Sequence, residues 1–254
     1  MAEKTLLITQ ARMASTRLPG KILMEIQGQP LLKIHLDRLK HCQNVSKLIV
    51  ATTDTPEDDR TAALVESWGG AIYRGSEHDV LGRFYQAALP HRPDWIVRVT
   101  ADCPLIDPAL VDEIINFTQT NQVDYGSNVL LERFPDGQDI EVFTFDALEK
   151  SYLTATKKSE REHVTLYIRN NISPIAENYF RAVNFTSEND YSKIRMTVDE
   201  AADFALVKHL IEELGTDKSW LEYTEYLMNS ELSQINAGII RNEGLLKSLK
   251  EDQP

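Results

Sequence analysis

Cysteine is nearly absent. The 254-residue chain has two, Cys42 and Cys103, too few for a disulfide framework and without metal-ligand spacing. No apolar run reaches the roughly 18 residues a bilayer span needs, and the amino terminus lacks the basic, apolar, small-residue order of a secretory signal. A cationic excess is missing too: 39 acids against 27 Lys and Arg give a net charge of −12, which argues against general nucleic-acid or anionic-membrane binding. There is no internal repeat and no low-complexity linker. What remains is the expectation of a cytoplasmic protein, 42% hydrophobic, long enough for one large domain or two small ones around a proper core.

Against that acidic background, Gln10-Ala11-Arg12-Met13-Ala14-Ser15-Thr16-Arg17-Leu18-Pro19-Gly20-Lys21 carries three cations and no acid. It follows the apolar β-type run Thr5-Leu6-Leu7-Ile8, so it leaves the carboxyl end of a first strand, where open α/β sheets bind ligands. Arg12 and Arg17 offer planar forks of donors to phosphate oxygens and Lys21 a mobile point charge, a set suited to a triphosphate. Pro19-Gly20 bends the loop so that the cations converge. The bland alternative is a solvated basic turn.

Strand and helix patterns alternate after the loop. Lys47–Thr53, Ala71–Arg74 and Trp95–Val99 read as buried strands. Helices with core stripes come between them: Leu32, Leu36 and Leu39; Asp58 to Ser67, stopped by Gly69-Gly70; Val80, Leu81, Phe84 and Ala88; and a run opened by Pro108. Beyond Asp124 we expect an exposed-edge strand from Gly137 to Phe145, a helix N-capped by Asp146 and running to Lys157, and a helix from Glu160 to Asn170. Strands at Phe180–Phe185 and Ile194–Val198 follow, then a helix ending before Gly215. The expected organisation is one domain: a core of residues 1–128 and 193–228, a lobe of 129–192 laid over it, and a weakly amphipathic appendage of 229–254.

Two aspartates stand at predicted strand ends on the same side as the basic loop: Asp102 after Trp95–Val99, in a turn stiffened by Pro104, and Asp199 after Ile194–Val198. Two such carboxylates can share one Mg²⁺, which prefers oxygen ligands, keeps waters and takes substrate phosphates as further ligands. For Asp199 the alternative is helix capping ahead of Ala201–Leu214. On the predicted strand Asp139 and Glu141 share a face and can accept hydrogen bonds from sugar hydroxyls. Arg161 and His163 could grip a carboxylate or phosphate, or simply form a solvated helix face. Cys103 has no base or cation to activate it and reads as packing; His35 and His41 have no partner spacing for a metal.

The loop Ala11-Arg12-x-x-Ser15-x-Arg17-Leu18-Pro19-Gly20-Lys21 resembles that of the cytidylyltransferases that activate acidic sugars, the Kdo and acylneuraminate enzymes. In particular it resembles their spore coat polysaccharide biosynthesis cytidylyltransferase-like branch. The resemblance continues through Arg74-Gly75-Ser76-Glu77-x-Asp79-Val80-Leu81, Thr100 to Asp107, Asp136-Gly137-x-Asp139-x-Glu141-Val142-Phe143, Arg161-Glu162-His163-Val164-Thr165 and Thr197-Val198-Asp199-Glu200, covering residues 5 to about 210. It implies a nucleotide-diphospho-sugar transferase-like (GT-A-like) three-layer α/β/α fold with a mixed central sheet, and transfer of CMP from CTP to an acidic sugar or polyol with release of pyrophosphate. It further implies nucleotide contacts at Ala11, Arg12, Ser15, Arg17, Lys21, Thr53 and Asp79, catalytic roles for Arg12, Lys21, Asp102 and Asp199, and Mg²⁺ on the two aspartates. The acceptor would lie against Asp139, Glu141, Arg161 and His163, in a homodimer making contact through the lobe. Competing readings are a phosphorylated acceptor giving a CDP-type product, a metal-dependent glycosyltransferase, and a catalytically dead scaffold.

Overall fold

The computed structural model describes residues 3–173 and 179–252. In chain order the strands are β1 (Thr5–Gln10), β2 (Glu25–Ile26), β3 (Gln29–Pro30), β4 (Lys47–Thr53), β5 (Ala71–Gly75), β6 (Trp95–Thr100), β7 (Tyr125–Ser127), β8 (Glu141–Thr144) and β9 (Ala182–Asn184). The α-helices are α1 (Leu31–Leu39), α2 (Asp59–Ser67), α3 (Val80–Ala88), α4 (Pro108–Asn121), α5 (Phe145–Thr154), α6 (Lys158–Glu162), α7 (Leu166–Asn170), α8 (Ala201–Leu214), α9 (Trp220–Met228) and α10 (Glu243–Glu251).

Seven strands form one mixed sheet in the order β5-β4-β1-β6-β8-β7-β9. β5, β4, β1 and β6 run parallel, β8 pairs antiparallel with both β6 and β7, and β9 lies parallel to β7. Side chains alternate across the sheet. Leu6 and Ile8 of β1 pack with Phe84 of α3 and Leu148 of α5 on one face, and Leu7 packs with Leu39 of α1 and Val111 and Ile114 of α4 on the other. This gives the three layers.

The first half matches the expected elements closely, because each carries its own periodicity and stop signal. The second half departs from expectation in four places. β8 is four residues long and sits between β6 and β7, not at an exposed edge. Residues 194–198 form no strand: they run extended, but Met196 N–H donates to Asp136 O (2.7 Å) and Val198 N–H to Asp102 O (2.7 Å), so the pairing switches partner before a ladder can form. Thr144, not Asp146, caps α5 by accepting from Ala147 N–H at 3.1 Å, and that helix ends at Thr154. The single helix expected over 160–170 is two, α6 and α7, broken at His163–Thr165. In the segment after 229, expected as a weakly amphipathic appendage, α10 packs against α6. The span 129–192 also supplies β8 and β9 to the central sheet, which ties the expected lobe into the core.

His35 on α1 is wholly buried and locks the sheet to the turn after β6. Its Nδ1 lies 2.8 Å from Cys103 O, and a carbonyl can only accept, so Nδ1 is the protonated nitrogen. Nε2 then accepts from Thr9 Oγ1 at 2.8 Å. Burial lowers the imidazole pKa from 6.5 to about 4, against an opposing contribution from the Cys103 carbonyl. The unfolded chain therefore binds more protons between those values, and stability falls as pH drops from 6.5 toward 4, by about 3 kcal/mol over the whole window. Urea unfolding at pH 7 and pH 5 should show this loss in the wild type and its absence in His35→Gln; equal pH dependence in both proteins would refute the assignment.

Candidate nucleotidyl transfer site

The basic loop is held by its own backbone. Met13 O accepts from Ser15 N–H (2.9 Å) and Gly20 N–H (3.0 Å), which folds residues 13–20 into a closed bend. Gly20 closes it at φ +70°, a left-handed conformation that favours glycine, and places Lys21 at the start of a short 3₁₀ turn. Asp58 fastens the bend to the sheet, accepting from Met13 N–H at 2.8 Å and from Thr53 Oγ1 at 2.5 Å. Arg12, Ser15, Arg17 and Lys21 line a cavity of 630 Å³ shared with Asp102 and Asp199. Arg12 makes no side-chain hydrogen bond or ion pair among the described residues. Ala11 and Thr53 are buried beneath the loop and do not line the cavity.

Lys21 is the centre of the site. Its Nζ stands 2.9 Å from Asp102 Oδ2 and 2.8 Å from Asp199 Oδ1. Burial disfavours the ammonium, but the two carboxylates outweigh it and raise its pKa. Burial likewise disfavours the Asp102 carboxylate. Lys21, with hydrogen bonds from Thr100 and Cys103, nevertheless holds its carboxyl well below the usual range.

Asp199 does not cap α8. Glu200 and Asp203 form that helix's capping box, and Asp203 Oδ2 also accepts from Asp199 N–H at 2.9 Å. The Asp199 side chain is thereby free to face Lys21, Arg17 (3.0 Å) and Arg195 (2.8 Å). Arg195 is the fixed base of this arrangement, ion-paired with Asp136, Asp199 and wholly buried Asp203. Gly137 lets the Asp136 turn approach closely, for a Cβ there would stand 2.7 Å from Thr197 N, at a φ of +107°. Cys103 is buried, with its thiol pKa pushed well up by burial and by Asp102, as befits packing.

A second cavity of 250 Å³ adjoins the first, sharing Arg17, Asp102 and Asp199 with it. Of the four residues expected to face an acceptor, Asp139, Glu141 and His163 line this cavity. Asp139 precedes β8 instead of lying on it, and pairs with Arg241 at 2.5 Å. Glu141 is buried; it pairs with Arg98 and accepts from Tyr125 Oη (2.7 Å) and Thr165 Oγ1 (2.5 Å). These partners outweigh burial and keep the Glu141 carboxyl below its usual range. His163 Nε2 sits 3.0 Å from Ser248 Oγ on α10, and burial lowers its pKa.

Arg161 lines neither cavity. Its guanidinium pairs with Asp79, donates to Tyr152 O at 2.8 Å and lies over the Tyr152 ring. Asp79 is occupied with Arg161 and with capping α3, where it accepts from Gly82 N–H at 2.9 Å. Asp79 and Arg161, expected at nucleotide and acceptor, pair with each other and line neither cavity.

The sequence reading missed Arg98, Arg169 and Arg195, together with Glu243, Lys247 and Ser248 of α10, all of which line a cavity. For Arg98 and Arg195 there was a signal: each is a lone cation inside an apolar run, Trp95–Val99 and Ile194–Val198, where an unpaired charge would be costly. Nothing in the α10 sequence announces its contact.

A cavity of nucleotide size at the carboxyl ends of parallel strands, with the three loop cations and Asp102 and Asp199 in its lining, defines a nucleotidyl-transferring site on an α/β scaffold. The chain belongs to the cytidylyltransferase family, whose sequence pattern matches residues 6–237; it is a CTP-dependent nucleotidyltransferase. It is similar to the spore coat polysaccharide biosynthesis protein SpsF of Bacillus subtilis, 35% identical over 217 residues, 83% of this chain and 87% of that protein. A 3-deoxy-manno-octulosonate cytidylyltransferase of Geobacter sulfurreducens is 39% identical over 110 residues, 42% of each. The structure of a cytidylyltransferase from Leptospira borgpetersenii serovar Hardjo-bovis matches with a TM-score of 0.84 at 32% identity, covering 95% of this chain and 100% of that one. α10 lies beyond the span matched by the family pattern.

Removing Arg195 would leave buried Asp203 without an ion-pair partner and take one from Asp136 and Asp199. Arg195→Met should lower unfolding free energy by about 3–5 kcal/mol, the usual cost of removing one partner from a buried ion pair. Urea titration checks this, and a loss under about 1 kcal/mol would show that Asp136, Asp199 and Asp203 find other partners.

Proposed function

We propose that the protein transfers the cytidylyl group of CTP to a hydroxyl of an acidic sugar or related polyol, for surface polysaccharide or glycan synthesis in the cytoplasm. The observation that carries this is the pair of adjoining cavities, with the cationic loop at one side and Asp102 and Asp199 where they meet. Family membership supplies CTP, and the names of the relatives point to sugar acids and polysaccharide. No helix among the described residues is long and apolar enough to cross a membrane.

In this reading Arg12, Ser15, Arg17 and Lys21 hold the triphosphate. The acceptor hydroxyl gives up its proton to solvent as its oxygen attacks the α-phosphorus in line, the bond from that phosphorus to the bridging oxygen breaks, and pyrophosphate departs with its electron pair. The loop cations stabilise the charge that accumulates on the leaving oxygens.

Asp102 and Asp199 fit a divalent cation such as Mg²⁺. The Lys21 ammonium, within 3 Å of both carboxylates, shows that they stand one cation apart. No group of three or more His, Cys, Asp or Glu among the described residues could hold a metal, so further ligands would come from phosphates and water, as Mg²⁺ prefers. When bound, such an ion neutralises phosphate charge beside the reacting phosphorus. Exposed Leu130 and Leu131 in the 129–192 span offer an apolar contact for the second subunit of a homodimer.

Pyrophosphate release, followed with CTP, Mg²⁺ and a panel of sugar acids, is the deciding measurement. CTP should support turnover in preference to ATP, GTP and UTP; equal use of all four, or a purine preference, would overturn the reading. Asp102→Asn and Asp199→Asn should each lower turnover by at least about a hundredfold with the fold retained, as expected on losing transition-state charge stabilisation. Near-normal turnover in both would make them structural.

A further inference from the structure

Arg17 reaches the first cavity from the basic loop, and its Nη1 is buried without a hydrogen bond. Glu243 Oε2 of α10 faces that nitrogen from 3.5 Å and Glu200 Oε1 from 3.9 Å, close enough for charge attraction but too far for a bond. The other oxygen of Glu243, Oε1, stands 3.0 Å from Lys247 Nζ, one turn further along α10. One carboxylate thus bridges a cation of the loop and a cation of the carboxyl-terminal helix, and all three side chains line the cavity. Lys247 and, less strongly, Arg17 hold the Glu243 carboxyl below its usual range, so it stays charged at neutral pH. Lys247 is 64% exposed and Glu243 33%, so their pair is worth little and is readily exchanged. A buried guanidinium nitrogen without a hydrogen bond costs free energy that an entering anion relieves.

We propose that the Glu243 carboxylate stands in for the terminal phosphates of the nucleotide, and that Arg17 and Lys247 close on those phosphates when they displace it. This rests on the reading of the first cavity as the CTP site and deepens it by naming a phosphate-holding residue on α10, a helix outside residues 6–237 matched by the family pattern. Charge calls for such a residue. Lys21 is committed to Asp102 and Asp199, which leaves Arg12 as the loop cation without a side-chain partner among the described residues, and a triphosphate brings more negative charge than Arg12 can meet. Lys247 lines the first cavity and not the second, which puts the held group on the nucleotide side. In the exchange Arg17 and Lys247 each trade a carboxylate oxygen for phosphate oxygens, and Arg17 Nη1 acquires the bond it lacks. Glu243 is left facing like charge and is repelled. It is therefore a competitor of the triphosphate. A nucleoside monophosphate, with its one phosphate beside Asp102 and Asp199 in the proposed reaction, does not displace Glu243 and gains nothing from Lys247.

Calorimetry of the full-length protein with CTP and with CMP, in the presence of Mg²⁺ and without acceptor, tests this. Glu243→Gln should tighten CTP binding about threefold or more, a gain that a damaged fold does not produce. Lys247→Gln should weaken it about fivefold or more, whereas Lys247→Arg, which keeps the charge, should stay within about twofold of the wild type. CMP affinity should stay within about twofold in all three variants. Gln and Arg are good helix formers, so α10 is retained in each. Unchanged or weaker CTP binding in Glu243→Gln, unchanged CTP binding in Lys247→Gln, or a loss of CMP affinity equal to that of CTP would each overturn the proposal. CTP shifts as expected in an enzyme that releases no pyrophosphate with any sugar acid would instead fault the proposed reaction and leave the phosphate hold standing. A wild-type protein that binds no CTP would overturn both.

Discussion

The ammonium of Lys21, lodged between Asp102 and Asp199, is the contact on which the site depends. It joins residues 81 and 178 positions apart: the end of the basic loop, the turn after β6 and the extended segment before α8. Each of the three charges would be costly in so enclosed a place without the others. Their mutual neutralisation lets a chain of net charge −12 place carboxylates beside the pocket proposed to receive a triphosphate. The support behind them is equally polar. Arg195 holds Asp199 from the rear and His35 holds the backbone of the Asp102 turn through Cys103 O. Neither carboxylate can turn away without breaking a buried pair.

The parts of the protein legible in sequence are those whose cause is local. β1, β4, β5 and β6 are short apolar runs bounded by turn residues, and α1 to α4 carry regular apolar stripes, so pattern and packing agree. The loop from Ala11 to Lys21 stood out because its charge opposed that of the whole chain. Illegible parts owe their form to partners far away in sequence. Residues 194–198 look like a strand, and their hydrogen bonds are strand-like, but they are shared between Asp136 and Asp102. Asp139 and Glu141 look like two faces of one role, yet one is bound to Arg241, from the far end of the chain, and the other is enclosed by Arg98, Tyr125 and Thr165. Arg161 was singled out by its motif and turned out to be paired with Asp79, 82 positions away. A one-dimensional motif marks that a charge matters; which partner it meets is decided by topology.

The carboxyl-terminal segment changes the character of the site. α10 contributes Glu243, Lys247 and Ser248 to the cavity walls, and it is held by Lys158 to Glu251 (2.5 Å), Ser248 to Glu162 (2.8 Å) and Ser159 to Asp252. Lys158 and Glu251 are exposed, so their pair is worth little, whereas Ser159 and Ser248 are buried; the helix leaves Leu246 and Leu249 exposed. The sheet beneath is held by apolar burial. The wall formed by α10 is thus joined to the rest by polar contacts, in contrast to the sheet and loop residues that face it.

Charge balance then constrains how substrates arrive. In the proposed reaction Arg12, without a side-chain partner among the described residues, can meet a phosphate at once, but Arg17 and Lys21 already have carboxylate partners, and Glu243 is one of those of Arg17. A triphosphate can take Arg17 from Glu243 by exchanging one anion for another, with small net change in charge. Lys21 differs, because drawing its ammonium toward a phosphate would leave Asp102 and Asp199 facing each other across a partly buried gap. Such a movement is affordable only if another cation takes up the position between them. In the proposed reaction triphosphate and cation are thus linked in one exchange, through the carboxylates themselves: the same two groups that hold Lys21 set the condition under which the loop can release it.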